Sequence, residues 1–345
     1  MTEDLPDSVA PLAERNRPSV TLRDVAQLAG VSTMTVSRAI HAPQRVTAPL
    51  RQRVDEAVKV LGYVPNLMAN GLRSSRSYLV TALVPTIVGS LFSEMVRSLT
   101  EALEENGYQL MVGQIGYGRT REDELLKAII GRRPDGIVLA GVLHSPDART
   151  MLVSSGIPVI ETWDTTGTPI DMLLRLSHEQ IGREVCKHLH AGGRRHLALL
   201  NGRDERADLR ARGYLAQAAE LGLPEPVVYR AVSPTTHAQG RDGLDYLLRV
   251  APRVDGVFCS SDMMATGVLT QARVRGIAVP ERLAVIGFGD LDFAATMVPS
   301  LTSVHIDGAA IGQMAARMIA DCADGMPPAQ RIVDIQYAIV ERESS

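Results

Sequence analysis

Three aspartates stand where the chain leaves an apolar run: Asp164 in Thr162-Trp-Asp164, Asp262 in Ser260-Ser-Asp262 and Asp290 in Gly287-Phe-Gly-Asp290. A carboxylate just past a buried strand either caps the next helix or accepts hydrogen bonds from a ligand's hydroxyls. For Asp262, which opens a helical pattern, both readings stand. Several such groups converging on one cleft, with Trp163 at its edge and Phe92 as an apolar wall, suit a sugar-like molecule, which has hydroxyls to bond and an apolar face to cover.

Other chemistries lack their residues. No glycine-rich phosphate loop of the dinucleotide or P-loop type is present, because Gly287-Phe-Gly-Asp290 lacks the third glycine and the helix opening. No G-x-S-x-G elbow occurs. His188 and His190 are two apart and point different ways on a helix, and Cys186, Cys259 and Cys322 are isolated, which fits buried thiols rather than a metal site or disulfides. The expectation is a binding protein with no cofactor, no metal and no enzymatic activity.

The elements that position these residues follow from periodicity. From residue 78 short apolar strands alternate with amphipathic helices in two series, the second starting near residue 176. Near-continuous apolar strands between such helices predict parallel sheets covered on both faces, so the chain should contain two doubly wound α/β subdomains whose ligands lie beyond the strands' carboxyl ends. Residues 19–64 read differently, as three short helices. Thr21-Leu-Arg-Asp24 is a capping box with Asp in place of Glu, Gly30-Val-Ser-Thr33 breaks one helix and caps the next, and Thr47 and Gly62 bound the third.

Charge separates the same regions. The 345 residues carry a formal charge of only −3, yet residues 1–14 hold four acids and no base, residues 15–77 hold ten bases against three acids, and the rest hold 26 against 32. A block of +7 near one end of an acidic body is the footprint expected for a phosphate backbone, or else a chance cluster on a solvated face. A composition of 45% apolar and 22% charged residues indicates a folded chain. With no apolar run of about 18 residues and no leader-like start, a cytoplasmic protein is expected, with no membrane partner.

The segment Thr21-Leu-Arg-Asp-Val-Ala-Gln-Leu-Ala-Gly-Val-Ser-Thr-Met-Thr-Val-Ser-Arg38 closely resembles the helix-turn-helix of the LacI/GalR family of transcription regulators. Leu61-Gly-Tyr-Val-Pro-Asn66 with Ala69 and Leu72 resembles that family's third helix and hinge, and Leu83-Val-Pro85, Gly156-Ile-Pro-Val159, Asp262-Met-Met-Ala265 and Val279-Pro280 extend the likeness along the chain. Asp135-Gly-Ile-Val-Leu139, His144 and Pro158-Val-Ile-Glu-Thr-Trp-Asp164 are most similar to the gluconate-operon repressor branch.

The resemblance implies a small all-α helix-turn-helix head plus two doubly wound α/β subdomains forming a periplasmic-binding-protein-like effector core. Its expected organisation is a tail at 1–18, the head at 19–64, a hinge at 65–77, one subdomain at 78–175 with about 305–330, and the other at 176–300 with about 331–341. Base readout is expected from Thr33, Met34, Ser37 and Arg38, with Arg38 pairing to guanine or else holding a phosphate. Phosphate contacts are expected from Thr21, Arg23, Ser32, Thr35, Arg51 and Arg53. Asn66, Ala69 and Leu72 would reach the minor groove, Leu72 as a wedge, with Gly71 weakening that short helix.

The effector residues it implies are Phe92, Trp163, Asp164, Arg210, Asp262 and Asp290, Arg210 being either the cation for a sugar acid's carboxylate or one more surface arginine beside Arg203, Arg206 and Arg212. The partners implied are a palindromic double-stranded operator, a second copy of the chain and a small-molecule effector. The chain ends at Glu341-Arg-Glu-Ser-Ser345 without a leucine heptad tail, so a homodimer is expected. The function implied is a repressor of gluconate or ketogluconate catabolism genes, released by its inducer; a neutral sugar or purine effector, or a stand-alone sugar-binding module, are the alternatives.

Overall fold

A computed structural model describes residues 20–64, 76–87, 92–116, 122–142, 145–326 and 328–345. The chain divides into two compact units, residues 1–75 and 76–345. The tail at 1–18, Asn66, Ala69, Gly71, Leu72 and His144 lie outside the described residues.

In the first unit, helices α1 (Leu22–Ala29), α2 (Thr33–His41) and α3 (Ala48–Leu61) follow the sequence signals. Thr21 and Asp24 form the reciprocal capping box, and Gly30 ends α1 in the left-handed region at φ 62°, where a side chain would be strained. Ser32 caps α2 by accepting from the Thr35 amide. Thr47 precedes α3 without a side-chain cap bond, Pro49 takes its place in the first turn, and Gly62 closes the helix at φ 62°. The fully buried residues are small: Val25, Ala26, Ala29, Val36, Ala39, Val54 and Ala57. Each contributes only the burial of one or two branches, so this core is thin.

The second unit contains two six-stranded sheets. The first comprises β1 (Leu79–Val84), β2 (Gln109–Gln114), β3 (Gly136–Ala140), β4 (Val159–Asp164), β5 (Met172–Arg175) and β11 (Ile332–Asp334), in the order β11-β5-β4-β3-β1-β2. The second comprises β6 (Leu197–Gly202), β7 (Val227–Ala231), β8 (Gly256–Cys259), β9 (Ala284–Phe288), β10 (Thr302–Ile306) and β12 (Tyr337–Val340), in the order β12-β10-β9-β8-β6-β7. Strands β3, β4, β6, β8 and β9 are buried along their whole length, as the unbroken apolar runs require. All pairings are parallel except β10 with β12. Each sheet thus has the doubly wound order expected, with its crevice at the reversal beside β1 or β6.

Covering helices are α4 (Ser93–Glu105), α5 (Glu122–Ile130), α6 (Pro146–Ser155), α7 (His178–Ala191), α8 (Glu205–Glu220), α9 (His237–Val250), α10 (Asp262–Val274) and α11 (Gly308–Ala323). Two details differ from the sequence reading. Strand β5 is only four residues long, too short to show a period of its own. The returns also fall later than 305 and 331: β10 stays in the second sheet to Ile306, α11 goes back to pack on α4, and β11 adds Ile332–Asp334 to the first sheet before β12 closes the second.

Candidate functional site

In the head, Thr33, Met34, Ser37 and Arg38 lie on the outer side of α2. At about 100° per residue they span about 140° of the helix surface, away from the buried Val36 and Ala39. Met34 is 61% exposed and offers apolar surface suited to a thymine methyl. The expected phosphate ligands divide. Arg23 and Arg51 are exposed, whereas the Thr21 hydroxyl donates to Asp24 at 2.7 Å and holds the helix cap. Ser32 and Thr35 hydroxyls bond each other at 2.9 Å. Arg53 donates to the carbonyls of Ala29 and Gly30, binding α3 to the end of α1, a structural role beside the phosphate contact expected of it.

In the second unit, two cavities open at the strands' carboxyl ends. The smaller, about 120 Å³, gathers Phe92, Trp163, Arg210 and Asp262, four of the six expected effector residues. Trp163, next to last in β4, is an extra residue in the β4–β5 ladder, whose register shifts between Thr162 and Asp164. Its φ of 65° is left-handed, a conformation costing about 1–3 kcal/mol that neighbours must hold. They do: the indole Nε1 donates to Met95 Sδ at 2.9 Å, Phe92 packs edge-on at 5.2 Å, and His178 bonds the Trp163 carbonyl at 2.8 Å.

Arg210 is 4% exposed, so it is no surface arginine. Its guanidinium stacks 3.8 Å over the Phe288 ring and donates to His178 Nδ1 at 3.0 Å and to the Ser260 carbonyl at 3.3 Å. Helices α7 and α8 approach closely enough to bring these groups together because Gly182 and Gly213 face each other's backbone; a Cβ on Gly213 would lie 1.9 Å from the Glu179 carbonyl oxygen.

Asp262 reaches the cavity, but its oxygens already accept from Ser303 at 2.5 Å and the Leu291 amide at 2.7 Å. Burial raises its pKa to about 6 despite those donors. Asp164 lines the larger cavity of about 780 Å³, paired with Arg206 at 3.4 Å. Burial raises its pKa too, and Arg206 opposes the shift. Arg206 also donates to the Ala140 carbonyl and stands over Phe92, so it separates the two cavities. Asp290 lines neither of these two cavities: Arg342 takes its carboxylate at 2.6 Å and His305 approaches at 3.2 Å.

Sequence reasoning passed over His178, Arg206 and Thr235. Arg206 had a signal, since it lies one turn before Arg210 behind the Asp204 cap, and residues four apart share a helix face. Thr235 lines the smaller cavity with its hydroxyl 2.7 Å from Ser261. Among the described residues no helix is long and apolar enough to cross a membrane.

Residues 21–66 match the model of bacterial regulatory proteins of the lacI family, and residues 186–345 match the periplasmic binding protein-like domain. The chain is 34% identical over 327 residues to the HTH-type transcriptional regulator GntR of Pseudomonas aeruginosa, covering 94% of this chain and 95% of that one. It is 31% identical over 322 residues to the regulator IdnR of Escherichia coli, covering 93% and 97%. A crystal structure of a LacI-family transcriptional regulator from Silicibacter pomeroyi superposes with a TM-score of 0.88 at 31% identity, covering 94% of this chain and 99% of that one. With head, fold and full-length relatives in agreement, the chain belongs to the lacI family of bacterial regulatory proteins and is a sequence-specific DNA-binding transcriptional regulator.

Proposed function

We propose that this regulator is a homodimeric repressor of sugar-acid catabolism genes, released from a palindromic operator when gluconate or a ketogluconate fills the smaller cavity. The observation that carries the reading is the buried Arg210 guanidinium lining a small cavity among aromatic faces and hydroxyls. A carboxylate against that fork makes charge-assisted bonds, and Thr235, Ser233 and Asp204 supply partners for hydroxyls. Trp163 and Phe92 cover the ligand's apolar edges. Asp164 acts through Arg206, and Asp262 holds the start of α10. The likeness to regulators named GntR and IdnR supports the same branch. Met34, Thr33, Ser37 and Arg38 read the operator, and a two-fold protein calls for a two-fold site.

Release follows from differential affinity: the acid weakens DNA binding only by as much as it prefers the DNA-incompetent state. Calorimetric titration of gluconate, 2-ketogluconate, 6-phosphogluconate and glucose into the protein tests this, with operator affinity measured alongside and sedimentation for the dimer. Gluconate or ketogluconate should bind and weaken operator binding, while glucose, lacking the carboxylate, should not. Silence toward all three acids, with binding of a neutral sugar or purine, would retire the sugar-acid reading.

A further inference from the structure

His178 is a fully buried histidine whose two ring nitrogens are both committed, one to each half of the effector unit. Nε2 lies 2.8 Å from the carbonyl of Trp163 at the end of β4, and Nδ1 lies 3.0 Å from Arg210 Nη1 on α8. A carbonyl only accepts, so Nε2 carries the proton and donates; a guanidinium only donates, so Nδ1 is bare and accepts. The two bonds therefore require one neutral tautomer. The Trp163 carbonyl meets His178 at the bulge, where the left-handed backbone of Trp163 interrupts the β4–β5 register.

We infer that His178 is a positioning residue that determines effector specificity: as the neutral Nε2–H tautomer it aims the Arg210 fork at a ligand carboxylate and ties that aim to the Trp163 bulge on the other sheet. The inference rests on the reading that Arg210 receives the acid. Guanidinium recognition of a carboxylate is directional, since two parallel N–H bonds must meet two oxygens. With one terminal nitrogen held by His178, another by the Ser260 carbonyl, and its plane set by Phe288, the fork is aimed before the ligand arrives. Because the second bond of His178 goes to the first sheet, a shift of that sheet's edge is felt at the guanidinium.

The electrostatic surroundings keep the ring in the required form. Burial first, then the Coulombic push of Arg210 and Arg206, holds the His178 pKa well below the usual imidazole value, and only the bond to Trp163 opposes them. The other charged groups lining the cavity are Asp204 before α8 and Asp262 at the start of α10; Asp204 accepts from Ala207 and Ser233, and Asp262 from Ser303 and Leu291. A proton on Nδ1 would face the guanidinium directly and break the bond that aims it.

The test is calorimetry of gluconate with the wild-type dimer and three variants, with operator binding measured on each. His178→Leu should weaken gluconate about tenfold, because the freed guanidinium must then be ordered when the ligand binds. It should also narrow the preference for gluconate over glucose. His178→Gln, whose amide can donate to Trp163 and accept from Arg210, should restore binding to within about threefold. Arg210→Met should abolish it in either background. Imidazole nitrogen resonances of the effector-free protein should show His178 as the Nε2–H tautomer without titration from about pH 8 to 5.5. Gluconate binding by His178→Leu equal to wild type, with Arg210→Met silent, overturns this inference and leaves the sugar-acid reading intact. A titrating or Nδ1–H imidazole also overturns it, and silence of the wild type toward gluconate overturns both.

Discussion

The DNA-reading head and the effector unit carry their chemistry on opposite sides of their cores. In the head, Val and Ala fill the interior and the residues proposed to read DNA stand outside; Met34 is 61% exposed. In the effector unit the ligand-facing residues are themselves core: Trp163 is 1% exposed, and Phe92, Trp163 and Phe288 belong to the same buried cluster as Val80 and Leu199. Residues outside a core can be exchanged for a new operator with little effect on folding. Residues inside one must satisfy packing and recognition together, so a change of effector should be tied to stability.

The largest expected effect sharpens that contrast through two glycines. A Cβ at Gly213 would stand 1.9 Å from a backbone oxygen of α7 that cannot move alone. Gly213→Ala should cost the effector unit about 3 kcal/mol or more and displace Arg210, one turn away, with loss of effector binding. Gly62 in the head has nothing within 4 Å of its would-be Cβ, only a φ of 62° to accommodate. Gly62→Ala should cost about 1 kcal/mol. Denaturant unfolding of both variants gives the comparison, and equal costs would break it.

A second effect of similar size concerns the buried carboxylate. Burial lifts the folded pKa of Asp262 from 3.8 to about 6, so between those values the folded state holds the proton that the unfolded chain has released. Its contribution therefore falls as pH rises through that window and levels off above it. Asp262→Asn does not titrate. The stability of wild type relative to Asp262→Asn should decline by about 2 kcal/mol between pH 4 and 6.5, read by urea unfolding across that range. A difference independent of pH would mean that the Ser303 and Leu291 donors cancel the cost of burial.

The same contrast explains what could be read from the sequence. Local signals were sufficient for the head: the Thr21–Asp24 box, Gly30 and the Ser32 cap each act within four residues. The two doubly wound sheets were legible for the same reason, because most of their strands and helices declare their own period, β5 excepted. The site was legible only as far as strand ends go. Asp262 and Asp290 do lie past β8 and β9, and Asp164 is the last residue of β4, but the arginine that claims Asp290 comes 52 residues later in the chain. His178 reads as the first residue after a Ser177 cap, since its partners on β4 and α8 lie 15 and 32 residues away. Which carboxylate stays available to a ligand depends on such distant pairings, and spacing does not encode them.

The smallest effects separate three arginines of the head. Arg38, exposed on the reading face, should give the sequence-dependent loss: Arg38→Ala is expected to cost about 2 kcal/mol on the operator and to flatten the preference at one base pair per half-site. Arg51 is exposed on α3 and should act as a charge, so Arg51→Ala weakens all duplexes alike and lowers the slope of log affinity against log salt by about 0.9 if it neutralises one phosphate. Arg53 lies only two residues further on, yet its guanidinium reaches back to the Ala29 and Gly30 carbonyls, where a cation also complements the end of α1. Arg53→Ala should therefore lower the head's stability by about 1 kcal/mol while leaving the salt slope at its wild-type value. Titrations on matched and mutated duplexes at several salt concentrations, beside melting of the head, distinguish the three. A slope change for Arg53→Ala as large as that for Arg51→Ala would put Arg53 on a phosphate, and the head would then hold its core together without it.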